Sequence, residues 1–326
     1  MIVDTYGRIH DYLRISLTDN CNLRCFYCMP DEHYDFAAAA QLMQVAEIET
    51  LAKLFVEQGV KKIRLTGGEP LVRKDAPRIL EVLGKLPVEL AMTTNGTRIH
   101  KMLPELMAAN MSTINISLDT LQADKFFKIT RRDLFQQVRH NIDLLLTLPV
   151  KVKINVVVMK GLNDDEILDF IAWTKDSPVE VRFIEFMPFS GNHWTSNQVF
   201  TLQDVLDVIK KNHVVIPVAH GLNDTAKSYH IPGHLGSFAV ISTMSSPFCG
   251  SCNRMRLTAD GKLKNCLFST SETDLLSALR AGQEVLPLIH SCIQSKAKAL
   301  GGQFSGVFKD IDPDTIENRS MITIGG

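Results

Sequence analysis

The sequence predicts an α/β barrel, whole or partial, on a parallel sheet. Six short β-type runs alternate with longer amphipathic segments, and residues suited to chemistry recur just past the strand ends. The runs are Tyr12 to Leu17, Lys62 to Leu65, Leu90 to Thr94, Thr113 to Leu118, Val152 to Val158, and Val179 to Phe186. Between them lie segments such as Ala46 to Gln58, Leu134 to Leu146 and Asp164 to Lys175. Their apolar residues fall at helical spacing, and each is long enough for a right-handed crossover, which makes the strands parallel.

Taken in order, the strand ends carry distinct groups. Cys21, Cys25 and Cys28 follow the first run, and Thr66-Gly67-Gly68-Glu69-Pro70 the second. Thr93-Thr94-Asn95-Gly96 closes the third, and Ser117-Leu118-Asp119 the fourth. In a parallel barrel all of these gather on the carboxyl-end face, where such folds keep their sites.

The pattern changes after Met187. Phe189 to Gln198 and Ala219 to Gly236 read as polar, turn-rich connectors. A helix is predicted near Leu202 to Lys211, strands near Ser237 to Ser242 and Met255 to Thr258, and helices near Asp274 to Leu279 and Val285 to Leu300. The expected division is a barrel over 1–188 and a smaller α+β portion over 189–326. The run Ala37 to Ala40 reads as a loop or helix start.

Composition narrows the function classes. With 45 % apolar residues the chain can bury a sizeable core, and no stretch of 18 uncharged apolar residues offers a membrane span. Thirty-five Lys+Arg against 36 Asp+Glu leave a net charge of −1, so bulk charge gives no reason to expect nucleic-acid or membrane binding. An odd count of seven cysteines, with no export signal in the first residues, points to a reducing compartment, read as the cytoplasm.

Cys21, Cys25 and Cys28 gather three soft ligands within eight residues and no fourth beside them. That set suits an iron-sulfur cluster with one iron left for a small molecule. Cys249, Cys252 and Cys266 repeat the logic. Here a zinc completed by His220, His230 or His234 remains open. Cys292, in an apolar helical run, reads as core.

Basic residues inside apolar strands are the second signal: Arg14, Arg64, Lys153 and Arg182. Buried charges need partners, either carboxylates such as Glu69, Asp119, Glu180 or Glu185, or an anion in the lumen. Arg254 and Arg256 follow Cys252 directly, so a polyphosphate between two metal sites would account for all six. Neither a P-loop nor a Gly-x-Gly-x2-Gly fingerprint is present, and phosphates would be held by side chains. The paired Gly67 and Gly68 would let backbone approach a ligand closely.

Cys-x3-Cys-x-Tyr-Cys, Gly-Gly-Glu-Pro and Ser-Leu-Asp over six βα units resemble the radical S-adenosylmethionine enzymes. Asp19-x-Cys-Asn-x-Arg-Cys-x-Tyr-Cys-Met-Pro, Arg-Leu-Thr-Gly-Gly-Glu-Pro, Thr-Thr-Asn-Gly, Arg-Phe-Ile-Glu-Phe-Met, Phe-Cys-x2-Cys-Asn-Arg-x-Arg-Leu and the closing Ile-Gly-Gly narrow this to a likeness with the GTP 3′,8-cyclase family, also called molybdenum cofactor biosynthesis protein A.

The resemblance implies a partial (β/α)6 barrel of the radical S-adenosylmethionine type, closed on its open side by the C-terminal portion. It implies a 4Fe-4S cluster on Cys21, Cys25 and Cys28 that chelates S-adenosylmethionine, with Tyr27, Gly68, Ser117 and Met187 contacting that cofactor. A second 4Fe-4S cluster on Cys249, Cys252 and Cys266 would meet the guanine of GTP, which displaces the zinc alternative. Arg14, Arg64, Thr93, Lys153, Arg182, Arg254 and Arg256 match GTP-contacting or substrate-cavity positions, the Gly325-Gly326 tail would reach into the active site, and Arg254, Arg256, Gly325 and Gly326 are the expected catalytic residues. The implied reaction uses a 5′-deoxyadenosyl radical to take hydrogen from C3′ of GTP and closes C3′ onto C8. Implied partners are a flavodoxin-like electron donor, the next pathway enzyme, cyclic pyranopterin monophosphate synthase, and a second copy of the chain. Gln44 departs from the family, standing where relatives carry a helix-capping Ser or Thr. Rival readings are a peptide-modifying radical maturase with an auxiliary cluster and a non-enzymatic metal-cluster scaffold.

Overall fold

The computed structural model describes residues 1–31, 34–219, 221–304, 307–312 and 315–325. The barrel half runs β1 (Tyr12–Ser16), α1 (Val45–Glu57), β2 (Lys62–Thr66), α2 (Ala76–Leu83), β3 (Glu89–Thr94), α3 (Ile99–Ala108), β4 (Thr113–Ser117), α4 (Ala123–Thr130), α5 (Phe135–Leu146), β5 (Lys151–Val158), α6 (Ile167–Asp176) and β6 (Glu180–Glu185). Then follow α7 (Leu202–Lys210), β7 (Ile216–Pro217), β8 (Lys227–His230), β9 (Ser237–Ile241), β10 (Arg254–Leu257), β11 (Lys262–Lys264), β12 (Thr273–Asp274), α8 (Leu275–Arg280), α9 (Leu286–Gln294) and α10 (Met321–Ile324).

Among the described residues the strands form one sheet in the order β12-β11-β10-β1-β2-β3-β4-β5-β6-β9-β8-β7. The run from β10 through β1 to β6 and on to β9 is parallel, and the outer strands are antiparallel. Strands from beyond residue 189 therefore extend both edges of the six-stranded partial barrel. Along β1, β2, β4 and β5 the residues alternate strictly. Leu13, Ile15, Ile63, Leu65, Ile114, Ile116, Val152, Ile154 and Val156 are buried in the apolar core. The residues between them face a central cavity. The helices cover the outside with stripes such as Ile48, Leu51, Ala52 and Phe55 of α1.

Two expectations need correction. The 219–236 segment is not only a connector: β8 lies inside it and pairs with β9, because Ser228 to His230 alternate enough to add to an open edge. The final helix stops at Gln294 rather than Leu300, since Lys296 turns inward. Gln44 starts α1 without a short hydroxyl cap: its N–H donates to Glu47 at 2.6 Å, the reciprocal half of a capping box. Ala37 to Ala40 is loop and turn, held by Ala37 N–H donating to Asp19 at 2.7 Å. No helix among the described residues is long and apolar enough to cross a membrane.

Candidate active site

The inward positions of the strands line a cavity of about 530 Å3. Because β1 and β10 run parallel, the cysteines that follow β1 lie at the carboxyl end of the lumen, while Cys249 and Cys252, which precede β10, lie at the other. A five-residue strand spans roughly 16 Å, the length of lumen between them. Cys266 follows the antiparallel β11 and so returns to the second end.

Between the two sets stands a layer of cations. Arg256, Arg14 and Arg64 are register partners on three adjacent strands. Thr93, Asn115 and Lys153 continue it, and Arg182 faces Asn155 one step further. Only one of the four carboxylates proposed from sequence pairs with these charges. Glu180 accepts from Lys153 at 3.0 Å and from Arg182 at 2.6 Å. Burial and then Arg182 bring the Lys153 amine down to about 8, against the attraction of Glu180. Glu69, Asp119 and Glu185 are spent on other partners. Arg64 instead donates to the Tyr12 hydroxyl at 2.6 Å and the Met92 carbonyl at 2.8 Å. Burial lowers the Arg256 guanidinium to about 10, with Arg254 next to it adding repulsion. Five cationic side chains around a lumen of this size, with Glu180 offsetting two of them, are a site for a polyanion.

At the first cysteine set, burial and mutual repulsion push the Cys25 thiol far up, burial and Cys21 take Cys28 to about 12, and burial and Glu69 take Cys21 to about 11. Thiolates here require a positive centre. Among the described residues no three His, Cys, Asp or Glu side chains converge as ligands of one ion would. Cysteines spread around a hollow fit a polynuclear cluster, in which each thiolate binds a different iron. At the second set, burial raises Cys252 but Arg254 and Lys296 outweigh it and hold the thiol at about 6. Of the histidines the zinc alternative could use, His234 is bonded through Nδ1 to Thr174 at 2.8 Å and neither it nor His230 lines the cavity, while His220 lies outside the described residues. Cys292 is buried in the core, as its context predicts.

The motif loops explain one another. Glu69 accepts from Leu71 N–H at 3.0 Å, Thr94 Oγ1 at 2.8 Å and Asn95 N–H at 2.6 Å, locking Gly-Gly-Glu-Pro to Thr-Thr-Asn-Gly, while burial lifts its carboxyl to about 7. Asn95 then donates to Cys21 Sγ at 3.7 Å. Both glycines line the cavity, and they also serve a second close approach. A Cβ on Gly68 would sit 2.5 Å from the carbonyls of Asp19 and Asn20, and one on Gly67, at φ +155°, 2.6 Å from Thr18 O. They let the second loop pack on the backbone that carries the cysteines.

Tyr27, Gly68, Ser117 and Met187 all line the carboxyl-end half of the cavity. Tyr27 donates to Asp119 at 2.6 Å, and Asp119, raised to about 6 by burial, also accepts from Val157 N–H at 2.9 Å. Gly325 is brought in by its carbonyl, which accepts from Arg256 at 2.8 Å. Gly326 lies outside the described residues. Sequence reasoning missed Tyr12, Lys62, Asn115 and Asn155 as cavity residues. The signal was there: each sits on the same alternating face as a named residue, but uncharged side chains and a strand-end lysine did not look anomalous.

Residues 15–174 match the family model described as Radical SAM superfamily, and 179–301 that described as Molybdenum Cofactor Synthesis C. Molybdenum cofactor biosynthesis protein 1 of Homo sapiens is 46% identical over 330 residues, covering 99% of this chain and 51% of that protein. The chain thus spans about half the length of the animal relatives it matches. A GTP 3′,8-cyclase of Syntrophomonas wolfei is 41% identical over 303 residues, covering 90% of this chain and 93% of that one. Streptococcus suis SuiB bound to S-adenosylmethionine superposes with a TM-score of 0.63 at 16% identity, over 88% of this chain and 68% of SuiB, a likeness of fold. The mitochondrial GTP 3′,8-cyclase of Arabidopsis thaliana is 45% identical over 333 residues, 100% of this chain and 84% of that protein, and this chain belongs to the GTP 3′,8-cyclase family of the radical S-adenosylmethionine superfamily.

Proposed function

We propose that the chain is a GTP 3′,8-cyclase, converting GTP to (8S)-3′,8-cyclo-7,8-dihydroguanosine 5′-triphosphate at the opening of molybdenum-cofactor biosynthesis. The observation that carries this reading is the register-aligned layer Arg256, Arg14 and Arg64, extended by Lys153 and Arg182, enclosed between two three-cysteine sets. Such a layer suits a triphosphate held by side chains, and the open lumen leaves room for nucleobase and ribose on either side of it. Cys21, Cys25 and Cys28 would hold one 4Fe-4S cluster and Cys249, Cys252 and Cys266 the other. Tyr27, Gly68, Ser117 and Met187 would hold S-adenosylmethionine. When bound, these groups supply the radical chemistry that takes hydrogen from C3′ of GTP.

The chain's own residues then do three things. Arg14, Arg64, Lys153, Arg182, Arg254 and Arg256, with Thr93, fix the triphosphate, so ribose and base meet the reacting centre in one pose. Asp119 fixes Tyr27 against the cofactor site. The α10 turn, through Met321, Ile322 and Gly325, covers the lumen and keeps water from reactive species. An external flavodoxin-like one-electron donor, cytoplasmic location, a homodimer and delivery of product to cyclic pyranopterin monophosphate synthase belong to the same reading, as does the division into 1–188 and 189–326.

The test is anaerobic incubation of reconstituted, reduced protein with S-adenosylmethionine and GTP, following 5′-deoxyadenosine and cyclised nucleotide by mass spectrometry. Both products should appear. Formation of 5′-deoxyadenosine with GTP untouched would keep the chemistry and overturn the substrate.

A further inference from the structure

Lys296 is 4% exposed, just past the end of α9. Its Nζ donates to the Arg254 carbonyl at 3.0 Å and to Cys252 Sγ at 3.5 Å, and among the described residues no carboxylate is a hydrogen-bond partner. A buried ammonium is costly without an opposing charge, and the one its hydrogen bonds reach here is the Cys252 sulfur of the second set. The surrounding chain is built to hold it there. Arg8, tied to Asp4 at 2.6 Å, donates to the carbonyls of Cys249 at 2.8 Å, Lys298 at 2.9 Å and Ala297 at 3.0 Å. Leu300 N–H donates to Cys249 Sγ at 3.4 Å. At the first cysteine set Arg24 donates to the Cys21 carbonyl, but among the described residues no cation donates to a sulfur. The sulfur donors there are neutral, Leu23 N–H at 3.4 Å and Asn95 Nδ2 at 3.7 Å, both to Cys21.

We propose that Lys296 sets the redox poise of the second cysteine site, making the cluster held there easier to reduce than the one on Cys21, Cys25 and Cys28. The inference rests on the reading that each set carries a cluster. Reduction adds one negative charge to a cluster. A cation and N–H donors at its sulfurs stabilise that added charge and raise the potential. Lys296 is therefore a positioning and tuning residue, and it confines the most strongly reducing electron to the S-adenosylmethionine end of the lumen.

The experiment is an anaerobic dithionite titration followed by electron paramagnetic resonance, on chains that carry Cys21→Ala, Cys25→Ala and Cys28→Ala so that only the second site reports. Lys296→Met should shift the midpoint of that site to a more negative potential, Lys296→Gln should shift it less, and Lys296→Arg should stay close to the parent, all with about four irons per chain retained. In the converse background, lacking Cys249, Cys252 and Cys266, Lys296→Met should leave the first site where it was. An unchanged midpoint in an iron-replete Lys296→Met chain overturns the proposal, and so does an equal shift at both sites. Should Lys296→Met fail to hold iron, Lys296→Gln decides by the same criterion. A parent second site that binds zinc or no cluster refutes the cluster reading itself, an outcome visible before any lysine variant is made.

Discussion

Arg256 donates through Nη1 to the carbonyl of Gly325 at 2.8 Å, while its strand partner Arg14 continues the same cationic layer on β1. One guanidinium thus links the tail to the substrate layer. A chain ending at residue 324 should keep both cysteine sets and about eight irons yet form no cyclised nucleotide; full product formation would sink a role for the tail.

Arg256→Ala should weaken GTP binding about ten- to hundredfold, the range for losing a charge-assisted hydrogen bond of about 1.5–3 kcal/mol. Equilibrium binding of GTP to the reconstituted protein, without S-adenosylmethionine, reads this apart from the chemistry. Arg256→Lys should not restore the parent value, because an ammonium cannot serve phosphate and the Gly325 carbonyl in the same fork geometry.

GTP affinity should fall as pH rises through about 8, where Lys153 loses its proton. The sign follows from the amine: charged below that value, it holds phosphate; neutral above it, it does not. Tyr12 is lowered into the same range, to about 8, the neighbouring arginines outweighing the effect of burial, so a titration alone does not separate the two. Lys153→Arg should flatten the profile between pH 7 and 9, and Tyr12→Phe should leave it in place. The reverse pattern would assign the inflection to the phenol.

Gly68→Ala should remove the first site selectively. Its methyl would meet backbone carbonyls at 2.5 Å, and the chain segment displaced is the one leading into Cys21. Iron content should drop to about half, with the second site's resonance signal kept. Retention of all the iron would show that the 18–20 backbone yields.

Much of this was legible before any coordinates. Six strands and their crossovers came from period and punctuation, and the two three-cysteine sets from spacing, which left zinc open at the second until the family likeness was considered. The mid-strand charges did point to a lumen, yet their expected carboxylate partners were largely wrong. Glu69 and Glu185 are side-chain caps for backbone N–H groups, a use that sequence does not distinguish from ion pairing. Asn115 and Asn155 were invisible because an amide inside a strand is not anomalous, though alternation puts both on the lumen face. The pairing of β10 with β1 at one edge was also hidden, since pairing across more than two hundred residues leaves no local trace.

That long-range pairing has a consequence during synthesis. β1 leaves the ribosome early, but the strand that covers one of its edges begins only at Arg254. At 5–20 residues per second the interval is roughly ten to fifty seconds, during which β1 presents an unpaired parallel edge and the second metal-binding loop does not yet exist. The two cysteine sets thereby become available at different times, and a nascent chain stalled in that window exposes an edge on which strands of other chains can pair.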